Sequence, residues 1–140
     1  MKIKNTIKSL FAAATIWMGL GLSAHADLDE VVDAYLDRGW FIHDVQTGFL
    51  EEGEVAELQV YLEAGDRMVV RGEGANDVRD LDAAVLLPNG RLLKKDVDID
   101  PTPYVPFTAP VTGFYTIQVK IISLWSGIGG AEVGVVLAER

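Results

Sequence analysis

The chain has 140 residues, no cysteine, and 21 acidic against 12 basic residues, for a net charge of −9. Disulfides and cysteine-held metals are therefore excluded, and a field of this sign repels nucleic acid and anionic membrane. The length suits one domain able to bury a core of its own.

The chain opens on Met1-Lys2-Ile3-Lys4-Asn5-Thr6-Ile7-Lys8, which is basic and carries no acid. An apolar run from Leu10 to Leu22 follows, then Ser23-Ala24-His25-Ala26, with alanines where a signal peptidase reads small residues. Basic start, short apolar run and A-x-A make residues 1–26 a signal peptide, cleaved after Ala26. The run is shorter than the roughly 20 residues of a membrane span, and Asp27 and Asp29 follow it directly. A lipoprotein anchor would need a cysteine. Cleavage removes three lysines, leaving nine basic and 21 acidic residues and a net charge of −12. The expected product is an acidic protein exported to the periplasm or the medium, with no membrane attachment.

Residues 27–39 read as a helix. Asp27 and Glu30 have capping-box spacing, Leu28, Val31, Val32, Tyr35 and Leu36 form one apolar stripe, and Gly39 is placed to stop it. So short a helix is marginal alone in water, so it is expected to dock on the rest of the protein, with Trp40 and Phe41 as surface that it covers.

From residue 40 to 140 the apolar period changes to two. Leu58, Val60 and Leu62 alternate with Glu57, Gln59 and Tyr61; Leu81, Ala83 and Val85 with Asp82, Ala84 and Leu86; Tyr115, Ile117, Val119 and Ile121 with Thr116, Gln118 and Lys120. Turn signals at Gly53, Ala64-Gly65-Asp66, Gly72 to Asn76, Pro88-Asn89-Gly90 and Ala109 to Gly113 separate about eight strands. They are expected near 40–46, 55–63, 67–73, 80–87, 91–99, 103–108, 113–122 and 131–138. Strands so spaced, without intervening helices, imply an antiparallel β-sandwich preceded by one short helix.

Four phrases in order carry a family resemblance. They are Leu62-Glu63-Ala64-Gly65-Asp66, Met68-Val69-Val70, the strand Asp80-Leu81-Asp82 running on to Pro88-Asn89-Gly90, and Phe107-Thr108-Ala109-Pro110-Val111-Thr112-Gly113-Phe114-Tyr115. Through them residues 55–122 resemble the bacterial pre-peptidase C-terminal domain. The resemblance implies a jelly-roll-like sandwich and a non-catalytic accessory role beside a secreted hydrolase. The helix at 28–38 and the strand at 131–138 depart from that pattern.

Catalysis needs converging groups, and the mature chain is poor in them. Its one histidine, His43, would have to combine with Ser123 or Ser126 to make a Ser-His-Asp set. His43 is expected to face out of a strand in a structural role. Gly72-Glu73-Gly74 and Gly127-Ile128-Gly129-Gly130 lack the helix that a phosphate loop requires, and read as loops. No enzymatic role is expected.

Trp125, in Ser123-Leu124-Trp125-Ser126-Gly127, is the candidate binding residue, able to anchor a partner or stack on a sugar. The competing expectation, preferred because tryptophan is more often buried, is a lid over the sandwich end. The leading functional reading is an exported module binding a protein partner or assisting a secreted hydrolase. The alternative is a carbohydrate-binding module using Trp125 with Tyr104 or Phe114. The three-residue turn Pro88-Asn89-Gly90 pairs Leu87 with Arg91, which would set Asp82 opposite Asp96 and Asp80 opposite Asp98, with Val97 and Ile99 inward. Asp80, Asp82, Asp96, Asp98 and Asp100 would then share an outer face, as a solvated acidic surface or, in a sharper form, a calcium site.

Overall fold

The computed structural model describes the backbone of residues 3–4 and 23–140, with side chains from Leu28 onward. The export signal expected at 1–26 lies outside these residues, apart from those short backbone stretches. Helix α1 (Ser23–Asp37) leads into β2 (Phe41–Glu51), β3 (Val55–Leu62), β4 (Arg67–Gly74) and β5 (Val78–Leu86). Then come β6 (Leu92–Asp96), β7 (Tyr104–Thr108), β8 (Gly113–Leu124) and β9 (Gly130–Glu139). A two-residue strand, β1 (Ile3–Lys4), pairs with Val60 and Gln59 at the edge of β3. The eight long strands form two antiparallel sheets, ordered β3-β8-β5-β6 and β2-β9-β4-β7. This is a jelly-roll winding, in which every connection but the β5–β6 hairpin crosses between the sheets.

The winding sorts the connections. Those after β2, β4, β6 and β8 meet at one end, where Glu52 N–H donates to Gly129 O, Trp125 N–H to Asp77 O, and Gly74 N–H to Pro101 O. Those after β3, β5 and β7 meet at the other, where Gly65 N–H donates to Ala109 O and Pro88 packs on Gly113.

The core lies between the sheets. Leu58, Val60, Leu62, Leu81, Ala83, Val85, Tyr115, Ile117, Val119 and Ile121 are buried there, facing Met68, Val70, Val105, Val133, Val135 and Leu137. Period-two alternation thus did place the inward faces of β3, β5 and β8. Pro106 is tolerated because β7 is a sheet edge, where a missing N–H breaks no ladder. Gly72 and Gly74, expected in a loop, complete β4. A Cβ on Gly72 would meet Pro103 Cγ at 2.7 Å, so this glycine admits the neighbouring chain and makes no turn.

Helix α1 begins at Ser23, four residues before the expected cap at Asp27. It ends where expected: Gly39 takes φ +81°, its N–H donates to Leu36 O, and Trp40 N–H donates to Tyr35 O. That pair of bonds is the glycine-terminated Schellman arrangement. The helix docks on the outer face of the β2-β9-β4-β7 sheet, so β9 is buried on both faces. Leu28 and Tyr35 carry the docking, with Val31, Trp40 and Ile42 packed around Tyr35, Val69 and Ala138. Leu28 fills the space a side chain on Gly134 would need, since a Cβ there would lie 2.5 Å from Leu28 Cδ1. Leu36 and Phe41 depart from expectation. They are 50% and 72% exposed, because the stripe that meets the sheet is narrower than the apolar face and β2 is an edge strand. Among the described residues no helix is long and apolar enough to cross a membrane.

Because Leu28 is buried and Leu36 is half exposed, the two should respond differently to truncation. Leu28→Ala is expected to cost about 2–4 kcal/mol and Leu36→Ala less than about 0.5 kcal/mol, measured by urea denaturation. Equal, small costs would show that the helix is not docked through this stripe.

Candidate functional site

Residues 125–129 join β8 to β9 at the end that gathers four connections. Trp125 is 70% and Ile128 79% exposed, so the lid expected from tryptophan statistics is not what this sequence builds. The loop is nonetheless braced. Asp77, in the β4–β5 connection, takes Trp125 N–H on its backbone carbonyl. Its Oδ1 accepts from Ser126 N–H at 3.0 Å, and its Oδ2 from the Ser126 hydroxyl at 2.6 Å. Glu52 Oε2 accepts from Leu124 N–H at 2.8 Å on the opposite flank. Gly127 and Gly129 hold φ of +72° and +77°, a backbone shape that other residues resist. The Arg79 guanidinium lies 5.3 Å from the Trp125 ring centroid, within cation–π range. These contacts brace the loop backbone and the Trp125 ring while leaving Trp125 and Ile128 in solvent.

Carboxylates gather at the same end. Glu51, Glu52 and Glu54 crowd the β2–β3 turn beside Gly129, Asp77 holds the loop, and Asp98 and Asp100 lie in the β6–β7 connection at the same end. In that connection Ile99 is 74% exposed. The end is an apolar tip with an acidic rim.

The aromatic partners considered for a sugar site lie elsewhere. Phe114 sits at the far end of β8, eleven residues or roughly 35 Å of strand from Trp125, where it packs edge-on against Tyr61 at 5.2 Å. Tyr104 faces α1 across the other sheet. The three rings therefore form no common platform.

His43 also differs from expectation. A bulge between Ile42 and Asp44 turns its side chain inward, where it is only 10% exposed, with Nε2 2.8 Å from Glu139 Oε2. Burial lowers its pKa, with Glu139 opposing that shift. It lies at the end of β2 remote from Ser123 and Ser126, so it forms no Ser-His-Asp set with either.

The acidic face is partly as expected. The turn forms: Leu87 N–H donates to Arg91 O, Gly90 N–H to Leu87 O, and Gly90 takes φ +86°. Leu86 pairs with Leu92, but a bulge at Leu93 then shifts the ladder so that Asp96 faces Ala83 and not Asp82. The strand ends at Asp96, leaving Val97 and Ile99 outside the core. Asp96 Oδ1 and Oδ2 accept from Asp98 N–H and Tyr104 N–H, and Asp100 Oδ1 accepts from Thr102 N–H. Among the described residues no three or more histidine or acidic side chains are arranged to hold a metal ion.

Asp80 and Asp82 do share the outer face of β5, and an Oδ1 of each is buried without a hydrogen-bond partner. Burial first, then the Asp80 charge and a carboxyl–carboxyl hydrogen bond with Asp80, push the Asp82 pKa up to about 6, opposed by Lys120 across the ladder. Burial also raises Asp80. The fold thus holds the Asp82 proton more tightly than the unfolded chain does. Its stabilising contribution is complete below about pH 4 and is lost as pH rises through about 6. Asp82→Asn should raise the melting temperature at pH 7.5 by several degrees and leave it unchanged near pH 4. The difference between variant and wild type separates this effect from His43, whose lowered pKa acts in the opposite sense. A variant no more stable at pH 7.5 would show that the pair carries no such penalty.

No protein-family model matches the chain, and no curated protein matches it. Solved structures do resemble it. Aeromonas hydrophila PliG, a periplasmic lysozyme inhibitor of g-type lysozyme, is 15% identical over 69% of this chain and 85% of its own, with a TM-score of 0.54. The pre-peptidase C-terminal domain of a Bacillus anthracis collagenase is 7% identical over 65% and 86%, with a TM-score of 0.50. A Clostridium perfringens ZmpB structure containing the CBM51-2 domain with GlcNAc is 12% identical over 69% and 22%, with a TM-score of 0.47. The likeness is one of fold alone, a jelly-roll-like antiparallel β-sandwich.

Proposed function

We propose that this chain is an exported, non-catalytic module that docks a basic protein partner through the loop end carrying Trp125 and Ile128. The observation that carries this reading is two large apolar side chains held in solvent by a braced loop inside an acidic rim. A tryptophan covers 150–250 Å² when it is buried at an interface. At about 25 cal/mol per Å² that is roughly 4–6 kcal/mol of gross driving force. The Asp77 bracing lowers the ordering cost, which is about 0.5–1.5 kcal/mol for each immobilised side chain. A net charge of −9, or −12 without residues 1–26, steers approach toward a basic surface.

The partner class we favour is a cell-wall hydrolase of the lysozyme type. PliG supplies the precedent for this fold acting on such a partner from the periplasm, and the collagenase domain for its keeping company with a hydrolase. Export rests on the basic, apolar and A-x-A pattern of residues 1–26. The sugar-binding alternative loses ground because Tyr104 and Phe114 do not join Trp125.

A titration of g-type lysozyme with the purified chain, read as slowed lysis of bacterial cell walls, tests this reading. Wild type should inhibit, Trp125→Ala should lose about thirtyfold in potency, as an interface anchor does, and Phe114→Ala should match wild type. Inhibition retained by Trp125→Ala would count against the loop end; no inhibition by wild type would remove this partner class.

A further inference from the structure

Apart from the two-residue β1, the sheets end on four strands, β3 and β6 in one and β2 and β7 in the other. A bare edge templates a further strand, and proteins blunt theirs with short strands, lysine, proline, bulges or cover. Three of the four are blunted in this way. β6 has five residues, a bulge, and Lys94 and Lys95, and Lys94 Nζ donates across to Pro106 O at 2.6 Å. β7 has five residues and contains Pro106. β2 bulges between Ile42 and Asp44, and α1 packs beside it. β3 has none of these devices: its eight residues, Val55–Leu62, run without proline or lysine in unbroken register with β8.

An extended backbone is already seated on that edge. Ile3 and Lys4 pair antiparallel with Val60 and Gln59, so β1 covers two positions of the eight. It belongs to the segment expected to leave as an export signal. The charge along the edge has one sign. From Asp44 to Asp66 the chain carries seven carboxylates and no lysine or arginine. Glu54 leads into β3, Glu57 lies on its outer face against Gln118, and Glu63 follows it, exposed. Between the end of β3 and the start of β2 lies a cavity of about 230 Å³, lined by His43, Tyr61, Glu63, Asp66 and Glu139. Burial lowers the His43 pKa, so at neutral pH the charge of this lining is negative alone.

We propose that the β3 edge of the exported chain binds an extended, lysine- or arginine-rich segment of a partner protein by strand addition. Main-chain bonds to β3 supply the affinity, and the carboxylates select cationic side chains. A strand running past Val60 toward Leu62 arrives at the acidic cavity, where a lysine or arginine would meet Glu63, Asp66 and Glu139. A second copy of the chain is a poor occupant, because pairing β3 with itself brings the same acids together. The edge does not include Trp125, so this surface is additional to the loop end and is tested separately from it.

Amide NMR on the chain purified after export, titrated with the peptide Lys-Ile-Lys-Val-Lys-Ile-Lys, tests this. The peptide should bind with a dissociation constant of about 100 μM at low salt and move the amides of Val55 to Leu62 most. A version with glutamate for lysine, and one N-methylated throughout and so without backbone donors, should each bind about tenfold more weakly. Glu63→Lys should weaken the lysine peptide about tenfold, and Gln59→Lys, which puts a lysine on the edge itself, serves as a second variant. Trp125→Ala should bind it like wild type. The proposal is overturned if the lysine peptide does not bind at about 1 mM, or if either control peptide binds as well. It is equally overturned if the shifts fall outside β3 and its flanking turns, if both lysine variants bind like wild type, or if the free chain is a dimer with its β3 amides already protected from exchange.

Discussion

In a jelly roll of antiparallel strands, each crossing reverses the chain, so alternate connections must emerge at opposite ends. That constraint divides this molecule into two ends with different chemistry. One is closed by short, mutually bonded turns. Gly65 N–H and Ala109 N–H exchange bonds with Ala109 O and Asp66 O, and Ala64 N–H donates to Thr112 Oγ1. The Tyr115 hydroxyl donates to Val111 O at 2.6 Å. The other end holds the Trp125 loop, with Trp125 and Ile128 exposed, and its acidic rim.

This division explains what the family resemblance carried. The Ala64-Gly65-Asp66 turn, Pro88 and the Phe107 to Tyr115 phrase all meet at the closed end, where they lock turn geometry and bury Ala109 and Tyr115. Those residues specify how the sandwich is shut, so they indicate fold and say nothing of a ligand. The loop end, about one strand length away, lies outside every matching phrase except the start of β5.

Much of the fold was legible because a two-residue period needs only local information. The inward faces of β3, β5 and β8 follow from alternation alone, and the Gly39 stop and the Gly90 turn from backbone shape. What failed was set by distant contacts. The stripe on α1 could not reveal that Leu28 fits over Gly134 while Leu36 stays in water. The bulge at Leu93 moved Asp96 off the expected partner, and the bulge at His43 turned an outward residue inward. The Asp77–Ser126 brace joins residues 49 apart in sequence. Without it, a tryptophan beside glycines reads as a lid or as a contact, and burial statistics pointed to a lid where the side chain is exposed.

The central claim is that the braced loop end is where this protein meets a protein partner. A photo-crosslinking residue placed at Ile128, and in a separate variant at Phe114, tests it most directly in cells that export the chain. The account predicts a discrete crosslinked protein species from position 128 that is lost when Trp125→Ala is added, and none from position 114. Crosslinking from 114 with none from 128 would contradict it.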